Sequence, residues 1–221
     1  MSIGQQLSIL DISDETSVGP LDAQLTRTAL TDGAWIDFCP GWIRGAGLLF
    51  DQLISSVDWR AEQRRMYERT VDVPRLLSFY DEGNPLPHQV LERANRTLNR
   101  HYAKELGEPF TTAGLCLYRD GRDSVAWHGD TIGRGRTADT MVAIVSLGAA
   151  RALLLRPRAG GPSQRPGASR RYGSSLRYDL GHGDLLVMGG SCQRTWEHAV
   201  AKTARAVGQR ISVQFRPAGV R

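Results

Sequence analysis

The sequence predicts a mainly β, α+β fold, with N-terminal helices packed on a C-terminal β-sandwich or barrel. Three observations carry this. From about residue 110 onward, short apolar or alternating runs follow one another between glycine-containing turns, the texture of a sandwich or barrel. Before that point, apolar residues recur at helical spacing in two stretches. The length, 221 residues, suits one domain with a real core and room for an extension.

Residues 1–33 are polar and lack a clear period, so an N-terminal extension of short extended pieces is expected. The rest, 34–221, is expected to be one domain, with a helical layer over 34–109 and a β core over 110–221. Residues 35–39 read as a short strand closed by Pro40-Gly41. Ala46, Phe50, Leu53 and Val57, with Leu49 and Ile54 beside them, predict a helix over about 43–58. The basic cluster Arg60, Arg64 and Arg65 follows, and 66–73 alternates only loosely before Pro74. A turn-rich run, 81–85, leads to a second helix starting near Pro87, since proline suits the first turn. Its buried stripe is Val90, Leu91, Ala94, Leu98 and Tyr102. His88 and His101 fall on or near this helix, in hydrogen-bonded or solvent-facing roles. Strands are expected at 114–119, 124–128, 141–147, 152–156, 176–180, 184–188 and 210–216.

The longest apolar runs are far too short to span a membrane. The N-terminus has no basic region followed by an apolar core, so no signal peptide is expected. Three widely spaced cysteines, Cys39, Cys116 and Cys192, argue against a disulfide framework or a zinc knuckle and suit a reducing cytoplasm. A net charge of +5 is consistent with a polyanionic partner, or with an arginine-rich proteome. Arginine far outnumbers lysine, and Arg156, Arg158, Arg165, Arg170, Arg171 and Arg177 crowd into one glycine-, proline- and serine-rich stretch. That composition predicts a loop, either a solvated basic face or a contact surface for phosphates.

His128 and Asp130 sit two apart at the end of an expected strand. Residues i and i+2 of an extended chain share a face, so the imidazole and carboxylate converge. Alone, such a triplet also fits a hydrogen-bonded pair at a turn. Two histidines and a carboxylate on one side of a metal form the facial arrangement of non-heme Fe(II) oxygenases. His182 and His198 are the candidates for the second histidine. His198 is favoured, because it lies twelve residues before Arg210, the span of a strand, a turn and a returning strand. His182, in a glycine-rich turn, is better explained as a turn residue. On the last strand Arg210, Ser212, Gln214 and Arg216 share one face, and Ile211, Val213 and Phe215 the other. The polar face could meet solvent. It could equally line a barrel interior that holds a dicarboxylate, for which a guanidinium fork is matched. An Fe(II) oxygenase needs an electron-donating co-substrate, and 2-oxoglutarate brings a carboxylate at each end.

The run from Leu117 through Tyr118, Arg119, Asp120 and Trp127 to His128-Gly129-Asp130 closely resembles the AlkB-type 2-oxoglutarate/Fe(II) dioxygenases, oxidative demethylases of alkylated nucleic-acid bases. The resemblance continues through Val145-Ser146-Leu147-Gly148 with Arg151, Gly183–Met188, Gln193, Trp196 with His198, and Arg210–Arg216. It covers about residues 66–216. It implies a double-stranded β-helix, or jelly-roll, core. It also implies His128, Asp130 and His198 as catalytic iron ligands, with Fe(II), 2-oxoglutarate and O2 as the working set. Arg210 would hold the distal carboxylate, Arg216 would lie by the iron-proximal end, and Tyr118 would hydrogen-bond the co-substrate. Pro74-Arg75-Leu76 resembles the segment preceding the family's substrate lid, which places the lid within 34–109.

Four departures stand out. Cys116 and Ser212 occupy positions where asparagines are usual, and both remain candidate co-substrate contacts. Asp130 is followed by Thr131-Ile132-Gly133 and not by acidic residues. The stretch after Tyr80 lacks an aromatic-rich turn. By the same resemblance the partner is nucleic acid, with alkylated DNA ahead of RNA, the process is DNA repair, and the protein works as a monomer. A base inside a duplex must be flipped out to reach a buried metal, and a flipped base needs flat partners. Phe79 and Tyr80 are candidates for one wall, with His128 as the other, and core packing is their alternative role. Arg165, Arg170 and Arg171 are candidate phosphate contacts. A binding module with an inactive metal site, and a demethylase of RNA or protein, are the competing readings.

Overall fold

Each long strand of the core is buried on both faces, and the two faces meet different partners. The computed structural model describes residues 15–22, 24–66, 69–134, 137–159 and 175–220. The chain begins with β1 (Ser17–Val18), β2 (Thr26–Ala29), β3 (Ala34–Cys39) and β4 (Ile43–Arg44), followed by α1 (Ala46–Ser56). Then come β5 (Arg60–Met66), β6 (Arg69–Tyr80), α2 (Gln89–His101), β7 (Thr112–Tyr118), β8 (Val125–His128), β9 (Val142–Gly148) and β10 (Arg151–Pro157). The remainder is β11 (Leu176–Leu180), β12 (Asp184–Gly190), the short α3 (Cys192–Thr195), β13 (Trp196–Val200) and β14 (Arg210–Arg216).

An eight-stranded sheet runs β2-β3-β12-β9-β14-β7-β6-β5, and a four-stranded sheet runs β11-β10-β13-β8. The pairings in both are antiparallel. The result is the expected mainly β jelly roll, two facing antiparallel sheets with helices outside. Period-2 alternation explains how β14 serves two cores. Ile211, Val213 and Phe215 face outward and pack with Leu49 and Leu53 of α1 and with Val90, Leu91, Ala94 and Leu98 of α2. The opposite face of the large sheet, through Cys116, Tyr118, Ile144, Leu186 and Met188, meets Leu153, Leu155, Trp196 and Val200 of the small sheet. The metal cluster is therefore approached from an apolar floor.

Both helices form where the sequence places them. The α2 stripe Val90, Leu91, Ala94, Leu98 and Tyr102 is buried throughout, and the His88 side chain caps its start by accepting from the Val90 N–H at 3.2 Å. His101 lies 3.3 Å from Asp22.

The helical layer is a correction. Residues 60–80 form the β5–β6 hairpin at the edge of the large sheet, with β6 pairing β7 from Leu76 to Tyr80. Pro74 sits inside β6 because its position has no ladder partner: the pairing with β5 shifts between Ala61 and Gln63, and the pairing with β7 starts only at Leu76. A residue there needs no N–H donor, and its carbonyl accepts from Ser124 N at 2.9 Å. Within 1–33, β2 joins the large sheet beside β3. Trp196–Val200 is a further strand that the alternation did not mark. The three cysteines are buried and free. No helix among the described residues is long and apolar enough to cross a membrane.

Candidate metal centre and co-substrate pocket

His128 ends β8, and His198 is its directly opposed partner on β13. Opposed residues of an antiparallel pair lie close enough for side chains to meet, and the two imidazole centroids are 4.2 Å apart. Asp130 follows in the loop and is 2% exposed. One ligand atom from each of the three residues falls within 4.8 Å of the others. His182 is elsewhere, its Nδ1 accepting from Gly148 N at 2.7 Å, the turn role expected for it.

The protonation of the cluster suits a cation. His128 Nδ1 lies 2.8 Å from the Ala126 carbonyl oxygen. A carbonyl only accepts, so Nδ1 carries the proton and Nε2 keeps its lone pair toward Asp130, 3.8 Å away. Burial, reinforced by neighbouring His128, pushes the His198 imidazolium down to about 3, which leaves a neutral ring. Burial alone would raise the Asp130 carboxyl, but Arg216, His198 and His128 outweigh it and hold it at about 2. Two neutral imidazoles and one carboxylate make the donor set of a facial Fe(II) site.

Neighbouring groups fix Asp130 in place. Arg216 Nε and Nη2 each lie 3.2 Å from its Oδ2. Its backbone N–H donates to Gln193 Oε1 at 2.9 Å, and Gln193 Nε2 faces Met188 sulfur at 3.7 Å. Gly129 is small for a reason: a Cβ there would collide with the Gln193 carbonyl oxygen. Gln193 comes from the four-residue α3, and the sequence gave it no site role because so short a helix carries no periodic signal.

The second part of the site is an anion seat. Arg210 is 1% exposed and its Nε donates to Ser146 Oγ at 2.9 Å, while Nη1 has no hydrogen-bond partner. A buried guanidinium with an orphaned donor is costly unless an anion completes it. Tyr118 lies beside it, ring centroid 5.2 Å from the guanidinium carbon. Burial and the nearby Cys116 raise the Tyr118 phenol to about 12 despite Arg210, so it stays a neutral donor. Cys116 and Ser212 face each other across β7 and β14 on the same inward face. A fork-shaped donor, a phenol and the metal cluster on one face thus fit a dicarboxylate that bridges Arg210 and the cation.

The aromatic candidates separate. Phe79 is opposite Gly114, on the inward face, and is 39% exposed. Tyr80 points the other way and packs against the helix-side core. The period-2 alternation of β6 forces this: neighbours in a strand cannot share a wall. Arg75, also inward, donates to the Ser124 carbonyl at 3.0 Å. Arg165, Arg170 and Arg171 lie outside the described residues. A cavity of about 510 Å³ beside Trp35, Glu105 and Arg134 holds none of these groups; the chemistry sits in the narrower space between the sheets.

Residues 45–216 match a family model described as the 2OG-Fe(II) oxygenase superfamily. The human alpha-ketoglutarate-dependent dioxygenase alkB homolog 3 is 30% identical over 193 residues, covering 80% of this chain and 64% of that protein. The Arabidopsis thaliana DNA oxidative demethylase ALKBH2 is 37% identical over 191 residues, covering 76% of this chain and 60% of that protein. The chain therefore spans less than two thirds of the length of these relatives. Among solved structures, a Trichoplax adhaerens prolyl hydroxylase, bound to a peptide fragment of the hypoxia inducible factor oxygen degradation domain, shares the fold. Its TM-score is 0.57 at 11% identity, over 86% of this chain and 84% of that one.

Proposed function

The chain belongs to the 2OG-Fe(II) oxygenase superfamily, and from that premise we propose that it oxidatively demethylates alkylated bases of nucleic acid, DNA before RNA, as a monomeric repair enzyme of the cytoplasm. The observation that carries the reading is the pairing of the His128, Asp130 and His198 cluster with the orphaned, buried Arg210 donor. The similarity to proteins named as an alkB homolog and as a DNA oxidative demethylase supports the substrate class, and three buried free thiols agree with a reducing compartment.

Iron, 2-oxoglutarate and O2 would supply the oxidation of an N-methyl carbon, which leaves the base as formaldehyde while the co-substrate becomes succinate and CO2. The chain's own residues do the rest. Asp130 stays ionised and the two imidazoles neutral, so all three offer lone pairs to the metal. Arg216 keeps Asp130 oriented. Arg210 holds the far carboxylate and Tyr118 donates to the co-substrate. The apolar floor of Leu153, Leu155 and Trp196 excludes water below the site. Phe79, half-exposed on the inward face, is the wall on which a flipped base stacks, and His128 is the opposite wall. Tyr80 serves the core. Arg165, Arg170 and Arg171 hold the phosphates.

The reading is tested by succinate formation from 2-oxoglutarate in the presence of a methylated oligonucleotide and of its unmethylated counterpart. Stimulation by the methylated strand alone supports it. Oligonucleotide binding without succinate would make the chain a binding module with an inactive centre, and stimulation by methylated RNA or protein would reassign the substrate.

A further inference from the structure

On the inward face of β14, Ser212 and Gln214 lie between the two site arginines, Arg210 and Arg216. Gln214 is 9% exposed and is the only carboxamide of that strand. Its Nε2 donates to Ser212 Oγ at 2.8 Å and approaches the Ser212 carbonyl only at 3.5 Å. Its Oε1 faces Arg216 Nη1 at 3.4 Å and Cys116 Sγ at 3.6 Å. Across the sheet its register partner is Gly114, where a Cβ would stand 2.9 Å from Arg216 Nη1 and 3.4 Å from Gln214 Oε1. The glycine leaves the space that the amide and the guanidinium occupy.

These contacts leave capacity unused. A carboxamide has two donors and an acceptor with two lone pairs. Only the bond to Ser212 Oγ has ordinary length; the others lie at or beyond the long edge of hydrogen bonding. Buried polar groups of this kind are normally satisfied. Cys116 and Ser212, the flanking positions, end one atom beyond Cβ and reach little of the space before them. Gln214 reaches further, is held in one rotamer by Ser212, and adds no charge that would compete with Arg210 for an anion or with Asp130 for Arg216.

We propose that Gln214 binds 2-oxoglutarate in this chain, donating its second N–H to a co-substrate oxygen between Arg210 and the metal cluster. It thereby performs a task for which Cys116 and Ser212 are too short. The proposal rests on the reading of this pocket as the 2-oxoglutarate seat.

The test is calorimetric titration of 2-oxoglutarate into the full chain loaded with Mn(II), which reads binding without turnover. Gln214→Met keeps the length and removes the hydrogen bonds, and its affinity should fall about tenfold or more. Gln214→Glu should fall further, because a carboxylate repels the dianion. Adding Cys116→Asn and Ser212→Asn to Gln214→Met should restore most of the lost affinity, while thermal midpoints without 2-oxoglutarate stay near wild type. Wild-type affinity in both Gln214→Met and Gln214→Glu would overturn the role of Gln214 while leaving the pocket intact. A wild-type protein that binds Mn(II) but no 2-oxoglutarate would overturn both.

Discussion

Arg216 and Asp130 stand 86 residues apart in the chain, and Arg216 Nε lies 3.2 Å from Asp130 Oδ2. The pair ties the last strand to the loop after β8, so closing the jelly roll also orients a metal ligand. Outer partners of metal ligands typically contribute 10- to 100-fold in metal affinity. Arg216→Met, which keeps the apolar stem, should weaken Fe(II) binding by roughly that factor. Competition with a chromophoric chelator under anaerobic conditions measures it. Unchanged affinity would make the pair a structural tie only.

His198 and His182 make a clean comparison. His198 faces His128 across the β8–β13 pair, whereas His182 is occupied by the Gly148 N–H. His198→Ala should abolish Fe(II) binding in the same titration, and His182→Ala should leave it. The reverse result would show that the ligand set is wrong.

Arg210 should be the largest single contributor to co-substrate binding. Breaking a buried charge pair costs on the order of 3–5 kcal/mol, so Arg210→Ala should raise the apparent KM for 2-oxoglutarate by orders of magnitude. Arg210→Lys should also be impaired, since a point charge cannot replace both the bond to Ser146 and a fork toward a carboxylate. An unchanged KM in either variant would remove Arg210 from the seat.

The sequence made some of this architecture legible and hid the rest for identifiable reasons. The α2 stripe and the two faces of β14 are long and strictly periodic, so their burial could be read directly. His198 was reachable through its spacing from Arg210. The β5–β6 hairpin was not, because Arg60, Ala61, Glu62 and Gln63 lie exposed on an edge strand and show no alternation, and because Pro74 argues against a strand until the register shift opposite it is known. Phe79 and Tyr80 looked equivalent as neighbours; only the register of β6 against β7 decides which faces inward. Gln214 was visible on the inward face, but its contacts depend on Gly114, which a single strand cannot reveal.

The arginine-rich loop carries its own prediction. Changing Arg165, Arg170 and Arg171 to Ala should weaken oligonucleotide binding for every sequence alike. Each lost phosphate contact should flatten the dependence of log K on log salt by roughly 0.7 for single strands or 0.9 for duplexes. Binding of a methylated oligonucleotide at several salt concentrations checks this. Parallel lines for wild type and triple variant would identify the loop as a solvated face.

The most direct test of the central claim is mass spectrometry of methylated oligonucleotides incubated with the protein, Fe(II), ascorbate and 2-oxoglutarate. The account predicts loss of the methyl mass from the base, with formaldehyde and succinate appearing in step, and no loss when 2-oxoglutarate is omitted or when Asp130→Ala replaces the wild type. Methylated DNA and RNA that both come through unchanged, while the same protein turns 2-oxoglutarate over, would contradict base demethylation.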